Sequence, residues 1–160
     1  MEIRPAGPGN YSDYCELVHE FDVHFASEDP AFFRVPANPV RTVEFYQSLF
    51  DSDSGVLMAF IEDKAVGFLN YRIDPPVDYP SLVPRKTLFV TILAVTKNHV
   101  RQGIGRALMA KVRLQAQELK CLAVELCVQD YNHAALEFYK AEGFASRERI
   151  FSLPIPDPEP

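Results

Sequence analysis

The stretch from Leu93 to Leu108 constrains this chain more than any other: Leu-Ala-Val-Thr-Lys-Asn-His-Val-Arg-Gln-Gly-Ile-Gly-Arg-Ala-Leu. It begins inside an apolar, β-branched run, Thr87 to Val95, which predicts a strand buried on both faces. A polar loop follows, and Gly103 and Gly105 open an amphipathic helix over residues 103–120. Ile104, Ala107, Leu108, Val112, Ala116 and Leu119 form its inner face, while Arg106, Lys111, Arg113, Gln117 and Lys120 line the outside. The first N–H groups of a helix lack intrahelical partners and carry partial positive charge. Glycines there let the backbone turn tightly and let a ligand approach without meeting a Cβ. The result is an anion site suited to a pyrophosphate, with Arg101 and Arg106 as added cations.

Other readings of the same residues compete. Gly-x-Gly by itself is also a plain tight entry into a helix. A dinucleotide-binding oxidoreductase is suggested by Glu125, which follows Gly105 by 20 residues. Three features oppose it: Leu108 stands where a third small residue belongs, seven residues separate Val95 from Gly103, and too little chain remains for a doubly wound sheet. A nucleotide-binding loop ending in Gly-Lys-Ser/Thr is absent from the sequence.

The remaining elements can be read around this segment. Met1 to Pro5 predicts a short strand, and Tyr11 to Ser27 a helix with Tyr14, Leu17, Val18, Phe21 and Phe25 at helical spacing. A second short helix carries Val43, Phe45, Tyr46, Leu49 and Phe50. Val56 to Ile61 and Ala65 to Ile73, joined by Glu62-Asp63-Lys64, predict an antiparallel hairpin. The prolines between Asp74 and Pro84 mark a loop. After the glycine-led helix come a strand, Leu122 to Val128, and a helix capped by Asn132 and stopped at Gly143, with Phe144 folding back on its last turn. A last strand is expected from Ala145 to Leu153. The whole predicts an α+β fold: a mixed, mostly antiparallel central sheet flanked by helices on both faces. Residues 1–153 are expected to form one domain, with 154–160 as a proline-rich tail.

With 16 Lys and Arg against 22 Asp and Glu, a formal charge of −6 opposes a broad grip on nucleic acid. The start of the sequence does not read as a signal peptide, and no apolar run is long enough to span a bilayer, so a cytoplasmic, membrane-free protein is expected. Cys15, Cys121 and Cys127 are expected to be reduced and mostly buried, with no disulfide and no metal. Cys121 and Cys127 fall within the predicted strand region.

Two segments together resemble the GNAT (GCN5-related) N-acetyltransferases. The first is the glycine loop: that family carries Arg/Gln-x-x-Gly-x-Gly/Ala, starting five residues beyond a strand-ending valine. Here Val95 leads to Val100 and then Gly103-Ile104-Gly105, with Val100 replacing the usual Arg or Gln. The second, Val128 to Phe144, matches Val-x-x-x-Asn-x-x-Ala-x-x-x-Tyr-x-x-x-Gly-Phe through Asn132, Ala135, Tyr139, Gly143 and Phe144. The hairpin holding Val66-Gly67-Phe68-Leu69 also lies where the family has one.

The resemblance implies an acyltransferase that moves an acetyl group from acetyl-CoA to a primary amine of a small molecule or peptide. Backbone groups of Leu93, Ala94 and Val95 would bond the pantetheine and the thioester carbonyl. Arg101, Gln102, Gly103, Ile104, Gly105 and Arg106 would hold the pyrophosphate, Asn132 would reach the cofactor arm and Phe138 would flank it. Tyr139 occupies the family's general-acid position. The base is less determined: Thr91 and Cys127 stand where relatives carry glutamates. Glu125 is the first substitute, ahead of His24 and Glu20, and a water route to solvent is the other option. The acceptor pocket would come from residues 20–34 and the loop Asp74 to Arg85. There Glu20, Asp22, Glu28 and Asp29 would attract a cation, and Phe32 and Phe33 would form an apolar wall. A longer acyl donor, a non-catalytic acyl-CoA sensor and a homodimer all stay open.

Overall fold

The computed structural model describes residues 1–37, 41–51 and 53–155. Internal contacts divide the chain into two units, Met1–Cys127 and Val128–Pro160.

The first unit is built on a five-stranded sheet in sequence order: β1 (Glu2–Pro5), β2 (Ser54–Ile61), β3 (Lys64–Asp74), β4 (Thr87–Val95) and β5 (Ala123–Leu126). The first four strands pair antiparallel, and β5 pairs parallel with β4. The β2–β3 hairpin is tight because Glu62 and Asp63 both take positive φ, 49° and 61°, matching the twist of the strands. Alternation sends Val56, Met58, Phe60 and Phe68 to one face. There they pack with Tyr14, Leu17 and Val18 of α1 (Tyr11–Glu28) and Tyr46 of α2 (Val43–Ser48). The opposite face meets α3 (Ile104–Glu118), whose Ile104, Leu108, Met109, Val112 and Ala116 are buried at helical spacing. Each large side chain of that stripe contributes about 1.5–3 kcal/mol of burial.

Alpha-1 and α2 are tied down at several points. Asn70 Nδ2, buried in β3, donates to the Tyr14 hydroxyl at 2.9 Å. Tyr46 donates to the Gly7 carbonyl at 2.8 Å. Arg41 grips Asp22 with both terminal nitrogens, at 2.9 and 3.2 Å, and its carbonyl accepts from the Tyr11 hydroxyl at 2.7 Å.

The second unit holds α4 (His133–Ala141). Its cap is the one the sequence predicts: Asn132 Oδ1 accepts from the Ala135 N–H at 3.1 Å. Its end is as expected too. Gly143 turns at φ 87°, the Phe144 N–H donates to the Tyr139 carbonyl at 2.9 Å, and the two rings stand 5.6 Å apart.

Three expectations need correction. Residues 145–155 form no strand. Arg147 pairs with the adjacent Glu148 at 2.8 Å, and Ile150 and Phe151 are neighbours rather than alternating, so no single face collects the apolar side chains. Second, β5 spans only Ala123–Leu126; Cys121 and Cys127 lie outside it, and Cys127 is exposed. Third, β4 is not buried on both faces along its length: Thr91 is exposed and Ile92 to Val95 are half-buried. The last two have one cause, because β5 leaves β4 early.

Candidate functional site

The parallel pairing of β4 with β5 runs from Thr87 opposite Ala123 to Val90 opposite Leu126, and ends there. On the other side, β4 stays paired with β3 through Val95 opposite Gly67. Thr91, Ile92, Leu93, Ala94 and Val95 therefore present a strand edge with no strand partner among the described residues. The parting coincides with a β-bulge. Asn70 faces Ile92 and Tyr71 faces Val90, leaving Thr91 as the extra residue. Its hydroxyl donates to the Asn70 carbonyl at 3.3 Å. Beyond the bulge the ladder is regular, and the Thr96 N–H donates to the Val66 carbonyl at 2.9 Å. The two-residue period then turns the N–H and C=O of Leu93 and Val95 toward the free edge, and those of Ala94 toward β3.

The loop leaving β4 is braced on both sides. The Lys97 N–H donates to Glu20 Oε1 at 2.5 Å, and Thr96 Oγ1 and His99 Nδ1 lie 2.8 Å apart. Gln102 donates from its side chain to the Asn98 carbonyl at 3.1 Å. Arg101 and Gly103 both take left-handed φ, 63° and 83°. A non-glycine residue in that region is strained and is found chiefly where a turn has a task. At the start of α3 the Ala107 N–H bonds to the Gly103 carbonyl at 3.0 Å. Ile104 and Gly105 stand in the first turn of α3, where N–H groups have no partner within the helix. A Cβ on Gly103 would find nothing within 4 Å, so the mouth of this turn is open. First-turn N–H groups at a helix N-terminus, with Arg101 and Arg106 nearby, fit a pyrophosphate. The Ile104 side chain, 1% exposed, is part of the core, so only its backbone is available to a ligand.

Gly67, opposite Val95, sets how closely these parts approach. A Cβ there would lie 2.9 Å from the Ala94 carbonyl oxygen and 3.3 Å from Ile104 Cγ2. Glycine is needed where β3, β4 and α3 converge. The sequence carried this signal as a glycine inside a strand. It carried none for Glu20 as the support of Lys97, since the two are remote in sequence.

Glu125 stands on β5 opposite Phe89. Its carboxylate is hydrogen-bonded and ion-paired to Arg85, both side chains about one third exposed. Arg72 lies over Phe89, 4.1 Å from the ring centre, and pairs with Asp74 at 2.7 Å.

In the second unit, Asn132 uses its side-chain oxygen to cap α4, which leaves its amide nitrogen as the group able to reach a ligand. Phe138 and Tyr139 are half-buried with ring centres 5.1 Å apart. Burial pushes the Tyr139 phenol from 10.0 up to about 12, so it keeps its proton throughout the neutral range. Among the described residues no group of His, Cys, Asp and Glu could hold a metal ion, and no helix is long and apolar enough to cross a membrane.

Known proteins give this geometry a context. No curated protein matches the chain. Among solved structures, a tetramutant of the BH1408 protein from Bacillus halodurans superposes with a TM-score of 0.90 at 24% identity, covering 97% of this chain and 100% of that one. An aminoglycoside acetyltransferase from an uncultured soil metagenomic sample gives 0.72 at 22%, covering 97% and 95%. An aminoglycoside antibiotic 6'-N-acetyltransferase from Acinetobacter haemolyticus gives 0.71 at 19%, covering 98% and 100%. These likenesses establish the fold. The model of the acetyltransferase (GNAT) family matches residues 21–144, well over half of the sequence, and the chain belongs to that family.

Proposed function

We propose that this acetyltransferase moves an acetyl group from acetyl-CoA to the primary amine of a small molecule or peptide, by direct attack and within a domain spanning 1–153. The observation that carries the reading is the free edge of β4 leading into an open glycine turn and a helix N-terminus. Acetyl-CoA, when bound, supplies an acyl group on a thioester.

The chain's own groups would then act as follows. Leu93 and Val95 would donate and accept backbone hydrogen bonds along the pantetheine. An N–H of this edge would stabilise negative charge on the thioester oxygen as it develops. The N–H groups of Ile104 and Gly105, with Arg101 and Arg106 as cations, would hold the diphosphate. Tyr139, protonated at neutral pH, would give its proton to the departing thiolate. That role rests on the Asn132 to Phe144 motif and on the phenol's protonation. The amine must arrive neutral, and its proton would leave through water, because the Glu125 carboxylate is already engaged by Arg85.

A sensor that binds acyl-CoA without turnover is the second reading, favoured by Thr91 in place of an acid. One measurement of the following two separates them. Acetyl-CoA is expected to raise the thermal midpoint in both, by selective binding to the native state. Only an enzyme releases free thiol when amines are added. Gly105→Glu puts a carboxylate into the anion site and should abolish the thermal shift. A folded Gly105→Glu protein with an unchanged shift would refute the cradle.

A further inference from the structure

Alpha-1 runs alongside β4 in the same sense. Tyr14 meets Asn70, which is paired with Ile92, and further along the helix Glu20 meets Lys97 just past the end of the strand. The residues that follow Glu20 therefore continue past the end of the unpaired stretch of β4. Here the chain places aromatic rings in series. Phe21 and Phe25 have centres 4.5 Å apart, Phe25 and Phe33 5.1 Å, and Phe33 and Phe32 5.0 Å. The His24 ring stands edge-on to Phe25 at 5.4 Å. Phe32 is 75% exposed. Single exposed apolar residues need no explanation, but a run of joined rings is a patch, and such patches mark binding surfaces.

Of the four acids beside this patch, Asp22 is paired with a cation and Glu20 is hydrogen-bonded to the backbone. Asp22 is 9% exposed and held by Arg41 through two hydrogen bonds. The Glu20 carboxylate accepts from the Lys97 N–H. Two of the four acids that a sequence reading assigns to cation capture thus support the fold. A polycationic acceptor presents several ammonium groups, each needing a carboxylate or an equivalent. A monoamine on an aromatic body needs one passing contact for its ammonium, which a ring face can supply, and gains the rest from apolar burial.

We infer that the acceptor is a monoamine carried on an aromatic or similarly apolar body, seated against Phe21, Phe25, Phe32 and Phe33, and that polycations are poor substrates. The inference rests on the amine-acetylating reading above.

The test is thiol release from acetyl-CoA by the full chain with 2-phenylethylamine, spermidine and sisomicin. The expected result is a kcat/KM for 2-phenylethylamine at least about tenfold above either polycation. Phe25→Ala and Phe33→Ala should raise its KM by about tenfold while the acetyl-CoA thermal shift stays unchanged. Phe32→Ala, on an exposed ring, carries the same test should the other variants unfold. A preference of that size for a polycation overturns the inference. Should no amine release thiol, the acyl-transfer reading fails separately. Binding of 2-phenylethylamine by saturation-transfer NMR then decides: binding lost in Phe32→Ala upholds the patch, and no binding by the wild type overturns it. A dimer that Phe32→Asp dissociates, with KM unchanged, would make the patch a contact between copies and overturn it too.

Discussion

Tyr139 shows how much one atom's environment decides. The phenol is a weak acid in water, and burial raises it to about 12, so the hydroxyl is a standing donor at neutral pH. Tyr139→Phe keeps the ring against Phe138 and Phe144 and removes only the proton. It is expected to lower kcat by roughly ten- to a thousandfold with acetyl-CoA affinity intact, measured by steady-state kinetics and calorimetry. An equal loss in affinity would mean the hydroxyl is structural. Glu125 makes the opposite case. The sequence offers it as a base, and the structure sets it against Arg85. Glu125→Gln should therefore change kcat/KM by less than about tenfold, and the rate should rise with pH along the acceptor amine's own ionisation. A folded, acetyl-CoA-binding Glu125→Gln protein that is nearly inactive would restore Glu125 as the base. Asn70 is a third kind of residue. Its Oδ1 is buried without a hydrogen-bond partner among the described residues, at the bulge where β4 leaves β5. Such groups are rare and cost stability.

Two glycines govern the elements around the β4 edge, for different reasons. Gly103 has free space where a Cβ would go, and its demand is the left-handed φ. Gly67 has an ordinary conformation, and its demand is contact with the Ala94 carbonyl and Ile104. Gly103→Ala should cost about 1–2 kcal/mol from backbone strain. Gly67→Ala should cost about 1–3 kcal/mol from overpacking, and it should also weaken acetyl-CoA binding by moving α3 from β4. Denaturant melts give the stabilities, and the acetyl-CoA thermal shift gives the binding. Equal stability of Gly67→Ala and wild type would show that the β3–β4–α3 junction is looser than its geometry indicates. The element that failed to form carries a related lesson. Residues 145–153 have strand-forming residues but no alternation between apolar and polar side chains, and no strand appears. Composition without the right period does not fix a strand.

For the chain as a whole, buried phenols set a limit at high pH. Tyr46, 1% exposed, is raised from 10.0 to about 12 by desolvation, with Tyr14 adding to the shift, and Tyr139 reaches about 12 by desolvation. Between these values the unfolded phenol has lost its proton and the folded one retains it. Their contribution to stability is therefore complete below pH 10 and is lost as pH rises through about 12. Urea melts across that window should show stability falling with pH, with a shallower fall in Tyr46→Phe; equal slopes would remove Tyr46 from the cause. The sequence alone determined the periodic and local features. The span of β4, the glycine-led helix, the Asn132 cap and the Gly143 stop each depend on residues within a few positions of one another. Tertiary structure decided what depends on remote pairs. It ended β5 at Leu126, opened the β4 edge, set Glu20 under Lys97, joined Arg85 to Glu125 and gathered Phe21, Phe25 and Phe33. The physical reason is range: capping, turn conformation and hydrophobic period are properties of neighbouring residues. The parting of two strands and the pairing of charges 40 positions apart exist only once the chain has closed on itself.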